Sequence, residues 1–281
     1  MGQLVFVYGT LRRYERNHHL LEDAKLVSQQ AWTKGRLIDT GYDYPAMLLD
    51  NDDHVYGELY EVDHDVLKQI DKLEGYQGIS ETDHYQRTEQ LVLSDLGEFK
   101  ALLYYYPKEV QNTEEIPFGD WRLKKLLDQG TPHYFAYGSC MDHERIEKAG
   151  MLTQFKTLGL GLLPEHELRF TVRADDGGRA DIVEMSGHQV EGIVYEITEQ
   201  ALKYLYNREG VYIGLYRPAV VDVTFNGEIL NMLTFIVIDK LEEIAPPDHY
   251  LNEIVRGGKR HLSETYLKQI NSRVERLRAG D

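Results

Sequence analysis

The segment Val55-Tyr56-Gly57-Glu58-Leu59-Tyr60-Glu61-Val62 decides how the chain is read, because it returns as Val190-Glu191-Gly192-Ile193-Val194-Tyr195-Glu196-Ile197. Beyond it Leu67 matches Leu202, and Glu74-Gly75 matches Glu209-Gly210, at a constant offset of 135 (209 − 74). An earlier segment, Val5-Phe6-Val7-Tyr8-Gly9-Thr10-Leu11, is echoed by Tyr134-Phe135-Ala136-Tyr137-Gly138-Ser139-Cys140, with Tyr8 and Tyr137 separated by 129 positions (137 − 8). Two matches in the same order at nearly the same offset identify an internal duplication. A period this long means repeated domains and not a solenoid. Two domains also suit a chain of 281 residues, since single cores cluster at roughly 100–150 residues.

Around the seam, Trp121–Leu127 reads as a short helix, with Gly130 as its cap and Thr131-Pro132 as a stop. The boundary is therefore expected near residue 130, giving domains 1–130 and 131–281. Each copy opens with an apolar strand (Leu4–Tyr8, His133–Tyr137), a glycine-containing turn and a short helix. Alternating strands follow, such as Leu91–Leu93 with Ala101–Tyr106, and Ala219–Phe225 with Leu230–Ile238. One amphipathic helix sits mid-domain, at about 64–74 and 199–209. The mixture predicts an α+β fold: two tandem copies of a mixed β-barrel or curled sheet with a few helices. The second copy adds a helix at about 264–277, whose stripe Tyr266, Ile270, Val274 and Leu277 reads as a packing face.

Composition narrows the function. With 31 basic and 47 acidic residues the chain carries −16 at pH 7, a field that repels nucleic acid and anionic lipid, so neither is an expected partner. No apolar run approaches the ~20 residues of a membrane span. The N-terminus, Met-Gly-Gln-Leu-Val-Phe, enters a strand at once and lacks a basic leader region. The single cysteine, Cys140, has no internal partner for a disulfide. Together these features predict a cytoplasmic protein. His18-His19 lacks metal-ligand spacing, and no phosphate-loop or dinucleotide glycine pattern occurs, so neither metal nor cofactor is expected. Ser139 is not in a nucleophile-elbow pattern, and Cys140 faces Leu11 in the other copy, which argues against a reactive thiol.

The mid-domain helix carries the most informative residue. Asp63 is a suitable N-cap, Leu67 and Ile70 define a buried stripe, and a further step of four reaches Glu74. In the second copy Thr198, Leu202 and Leu205 lead in the same way to Glu209. Each glutamate thus lies on the apolar face, in the last turn, before a helix-ending glycine. Lost hydration and the negative end of the helix dipole both favour the protonated carboxyl, so its pKa is expected to rise. A carboxyl tuned in this way serves as general base and general acid. The turns Tyr8-Gly9-Thr10 and Tyr137-Gly138-Ser139 follow buried strands, and their successive N–H groups can converge on a carboxylate or an oxyanion.

Loop and glutamate together, found twice, resemble the γ-glutamylcyclotransferase-like superfamily, in which a Tyr-Gly-Ser/Thr loop is paired with one catalytic glutamate. The first copy, with Tyr8-Gly9-Thr10-Leu11-Arg12-Arg13, Asn17-His18 and Tyr85-Gln86-Arg87, resembles the γ-glutamylamine branch. The second, with Tyr137-Gly138-Ser139, Gly177-Gly178 and Ala245-Pro246-Pro247, resembles the γ-glutamyl-amino-acid branch, except that Cys140 stands where asparagine is usual. The resemblance implies that the α-amine of a small γ-glutamyl substrate attacks its own δ-carbonyl, giving 5-oxoproline and a released amine. It implies Glu74 and Glu209 as acid/base residues of two sites. Tyr8, Gly9, Thr10 and Leu11, and Tyr137, Gly138, Ser139 and Cys140, would hold the substrate, with Tyr85 and Tyr216 lining the pockets. The leaving group stays open, and so do a non-catalytic γ-glutamyl-binding module and a pair with one active and one degenerate domain.

Overall fold

The computed structural model describes residues 2–79, 83–108 and 114–280, and the chain divides into two compact units, Met1–Lys124 and Lys125–Asp281. The first contains β1 (Gln3–Val7), β2 (Lys25–Lys34), β3 (Arg36–Asp39), β4 (Pro45–Leu48), β5 (His54–Val62), α1 (His64–Glu74), β6 (Gln86–Ser94) and β7 (Gly97–Tyr105). Helix α2 (Trp121–Asp128) leads into the second unit. There follow β8 (His133–Ala136), α3 (His143–Lys148), β9 (Phe155–Ala174), β10 (Gly177–Ile197), α4 (Glu199–Arg208), β11 (Tyr216–Phe225), β12 (Glu228–Val237), α5 (Asp248–Gly258) and α6 (Glu264–Ala279).

Each unit is built on a closed five-stranded barrel, ordered β1-β5-β2-β6-β7 in the first and β10-β8-β12-β11-β9 in the second. Strands β3 and β4 pair separately as a ribbon. The expected α+β duplication is therefore realised in its barrel form, which leaves no open sheet edge within each barrel. The repeat extends to register. Phe6 faces Leu59 and Phe135 faces Val194, and parallel bridges Val5–Leu102 and Tyr134–Leu233 join the first strand of each unit to its last.

The repeated glycine of the segment quoted first explains why that segment is so similar in the two copies. A Cβ at Gly57 would lie 2.3 Å from the carbonyl oxygen of Val7 and 2.8 Å from the Phe6 ring. At Gly192 it would lie 2.5 Å from Ala136 O and 2.6 Å from Phe135. Only glycine lets the first strand and its phenylalanine close over the neighbouring strand at this distance.

Helix α1 forms as its pattern predicts. Asp63 accepts hydrogen bonds from the N–H groups of Asp65 and Val66, and Leu67 and Ile70 are buried, each worth ~1.5–3 kcal/mol of apolar burial. Gly75 ends the helix in the left-handed region at φ 66°. In α4 Thr198 accepts from Ala201 N, but the buried residues are Ala201 and Leu205. Leu202, expected on that face, is only half-buried. Edge-on ring contacts of Tyr204 with Phe155 and of Tyr206 with Phe235 flank Leu205 and centre the buried face on it.

One further expectation is modified. The short helix after the first strand exists in the second unit as α3, whereas the first unit has turns and a 3-10 turn at His18–Leu21. Tyr14, at φ 66°, interrupts any helix there. The stripe of α6 is internal: Tyr266, Ile270 and Val274 are buried, while Arg273 pairs with Glu243 and Glu167. Among the described residues no helix is long and apolar enough to cross a membrane.

Candidate functional site

In the first unit β1 delivers Tyr8, and the chain turns at once, with Arg12 N donating to Gly9 O at 3.0 Å. Asn17 ties the loop off, its N–H donating to Thr10 O and its side-chain amide to Thr10 Oγ1 at 2.9 Å. The N–H groups of Thr10 and Leu11 find no acceptor among the described residues. Helix α1 delivers Glu74 to the same place. The two segments border a cavity of about 270 Å³ that also meets Tyr44, Pro45, Tyr85 and Tyr104. The predicted residues Tyr8, Gly9, Thr10, Leu11, Glu74 and Tyr85 all lie on its wall.

The Glu74 carboxyl makes no hydrogen bond or ion pair among the described residues. Burial alone pushes its pKa from 4.5 up to about 7, because desolvation penalises the charged form. The neighbouring phenols are anchored elsewhere: Tyr8 donates to Tyr104 O at 2.7 Å and Tyr85 to Pro45 O at 3.2 Å. Burial and the nearby carboxylate raise both phenol pKa values, so they stay protonated.

Two charged networks, which the sequence reading did not identify, hold this constellation. Under the loop, Arg12 is 1% exposed and donates to Asp120 Oδ1 at 2.7 Å and to Glu58 Oε1 at 3.4 Å. Glu58, fully buried, also accepts from Arg13 N, from the Tyr60 hydroxyl and from Arg122. Behind α1, Arg87 donates to both oxygens of Asp71 at 2.7 Å, and the Tyr104 hydroxyl donates to the same carboxylate at 2.6 Å. Asp71 lies one turn before Glu74, so this network fixes the end of the glutamate helix. The repeat contained the signal. At the matching positions the second copy has Met141 for Arg12, Ile193 for Glu58 and Tyr206 for Asp71, so these charged groups do not recur there.

The second unit assembles the same elements around less space. Tyr137 donates to Phe235 O at 2.6 Å, and Tyr216 to Ala180 O at 2.7 Å, repeating Tyr8 and Tyr85. Tyr137, Gly138, Ser139, Cys140, Glu209 and Tyr216 border a common cavity, but its volume is about 20 Å³, about the room for one water. Two side chains account for the loss. Arg208, at the position of Leu73, donates to Cys140 Sγ and Ser139 Oγ, both at 2.9 Å. Tyr250, brought in by α5, accepts from Ala180 N at 3.2 Å and borders the cavity.

Glu209 is therefore engaged: Cys140 Sγ donates to its Oε1 at 3.2 Å, and Arg208 Nε lies 3.5 Å away. Burial raises its pKa, while Arg208 and Cys140 oppose the rise. Burial also pushes the Cys140 thiol up to about 12, in keeping with an inert cysteine. Gly177-Gly178 do not border the cavity; Gly178 N donates to Ala245 O, and Ala180, two residues on, forms the wall.

Comparison with known proteins identifies relatives of both units. The profile of the family described as "Gamma-glutamyl cyclotransferase, AIG2-like" matches residues 5–123, and that of the "AIG2-like family" matches residues 189–270. YkqA of Bacillus subtilis, named as a candidate γ-glutamylcyclotransferase, is 39% identical over the full length of both chains. The chain belongs to the γ-glutamylcyclotransferase family. The crystal structure of YkqA covers 99% of this chain and 99% of its own at a TM-score of 0.88, so the two-barrel fold is shared. A γ-L-glutamyl-butirosin B γ-glutamyl cyclotransferase from Niallia circulans is 41% identical over 43% of this chain and 77% of its own length.

Proposed function

We propose that the first unit cyclises the γ-glutamyl group of a small amide to 5-oxoproline, with Glu74 as the acid/base residue. One observation carries the reading: a half-buried carboxyl, its pKa raised by desolvation to about 7, borders a cavity beside unpaired backbone N–H groups. Ionised Glu74 accepts a proton from the substrate α-ammonium. The freed amine attacks the δ-carbonyl, forming the ring C–N bond, while the loop N–H groups of Thr10 and Leu11 receive the developing oxyanion. Protonated Glu74 then gives its proton to the leaving nitrogen as the amide C–N bond breaks, and the carboxylate so regenerated takes the second proton from the ring nitrogen and passes it to the released amine. Atoms and protons balance without water, because the products are 5-oxoproline and the released ammonium. The nucleophile is tethered, so holding the right rotamer supplies much of the rate.

In the same reading the second unit does not turn over. Its cavity of about 20 Å³ has no room for a glutamyl group, and Glu209 already faces Arg208 and Cys140. The test is 5-oxoproline release from a panel of γ-glutamyl amines, γ-glutamyl amino acids and glutathione. Glu74→Gln is expected to abolish it and Glu209→Gln to leave it unchanged. Retained turnover in Glu74→Gln would refute the assignment.

A further inference from the structure

A second cavity of the second unit, about 240 Å³, lies away from either glutamate, between the turn Met141–Glu144 and the end of α5. Its charged wall is unbalanced. Arg256, Lys259 and Arg260 border it with the imidazoles of His143 and His261, against the carboxylates of Asp142 and Glu144. Asp142 is committed: it is 2% exposed, and both of its oxygens accept from Arg256. Among the described residues Glu144 reaches only Arg256, at 3.4 Å. Lys259 and Arg260 make no side-chain hydrogen bond or ion pair among the described residues. Two uncompensated cations converging on one cavity are unusual in a chain whose net charge is −16.

We propose that this cavity binds a small polyvalent anion of the phosphate or phosphomonoester type, held by Lys259, Arg260 and His261. Two cations with no internal partner call for about two negative charges, and guanidinium, ammonium and imidazole donors together suit a tetrahedral oxyanion. The volume is below the ~300–1,000 Å³ of sites for drug-sized ligands, which limits the anion to a compact one. The state of His261 agrees. Its pKa is lowered by burial and then by the neighbouring charges of His143 and Arg260, so the imidazole senses an excess of positive charge that an anion would reverse.

The test is an NMR titration of the full chain with inorganic phosphate at constant ionic strength, following the His143 and His261 imidazoles, with chloride and glutarate as comparison anions. Saturable shifts with phosphate are expected, together with a rise in the His261 pKa. This histidine faces His143, Arg256, Lys259, Arg260, Asp142 and Glu144. The exposed double variant Lys259→Ala/Arg260→Ala should bind at least tenfold more weakly. Glu144→Gln, which frees Arg256 and removes a competing carboxylate, should tighten binding severalfold. Absence of saturation, equal affinity in the double variant, weaker binding in Glu144→Gln, or glutarate binding as tightly as phosphate would each overturn the proposal.

Discussion

Replacing Glu74 by glutamine keeps the shape of the side chain and removes its proton chemistry, so one substitution tests both the reaction and the energetics of the site. In the folded protein the carboxyl titrates near 7 instead of 4.5 because it is buried. One pH unit of such a difference corresponds to ~1.4 kcal/mol, so the full gap amounts to about 3 kcal/mol. The sign follows from which state holds the proton. Below pH 4.5 the carboxyl is neutral in the folded and unfolded chains alike, and the group costs nothing. Between 4.5 and about 7 the unfolded chain releases a proton that the folded chain retains, and stability falls. Above 7 both states are ionised and the cost is constant. Glu74→Gln carries no such cost, so its first unit should be more stable than the parent by about 3 kcal/mol at pH 8. The advantage should shrink to about 2 kcal/mol at pH 6 and vanish near pH 4. Trp32 and Trp121 are the only tryptophans, and both lie in the first unit, so urea unfolding followed by tryptophan fluorescence reads that unit. Cyclisation should fall at least a hundredfold, the lower end of what general acid–base catalysis supplies. A stability gap that does not change with pH, or a Glu74→Gln protein less stable than its parent at pH 8, would refute the claim that Glu74 is a desolvated carboxyl.

The pH dependence of kcat/KM should show an acid limb near pH 7, with activity falling about tenfold per pH unit below it, because protonated Glu74 cannot deprotonate the substrate ammonium; a limb near 4.5 would contradict the raised pKa. Arg12→Met or Glu58→Ile alone should destabilise the first unit by about 3–5 kcal/mol, since each leaves a buried charge without its partner. The double change, which installs the residues of the second copy, should recover a large part of the loss in the same fluorescence assay. Cys140, with its thiol pushed up to about 12, should resist iodoacetamide at pH 8 in the folded protein and react fully in urea, as read by mass spectrometry. Arg208→Leu, which restores the residue of the first copy and removes the cation that lowers the thiol pKa, should slow that alkylation further in the folded protein.

Much of this protein was legible in its sequence because local rules and repetition point the same way. The offset of 135 between Glu74-Gly75 and Glu209-Gly210 exposed the duplication. Asp63 and Thr198 marked helix starts that the structure keeps, and helical spacing alone placed each glutamate on an inward face. The alternating strands foretold a barrel or curled sheet, and belonging to the γ-glutamylcyclotransferase family agrees with that reading. Capping, turn formation and helical periodicity act over a few residues, so a linear pattern records them. Barrel closure does not act locally. It sets Arg12 against Asp120, 108 positions away, and brings Ala180 against Tyr250, 70 positions away. Whether a glutamate faces open space or a filled cavity depends on those distant side chains. Leu73 and Arg208 occupy the same place in the repeat, yet only the packed barrels show about 270 Å³ beside one and about 20 Å³ beside the other. The duplication and the paired glutamates were determined by the sequence itself; which of the two borders an open cavity was decided by tertiary packing.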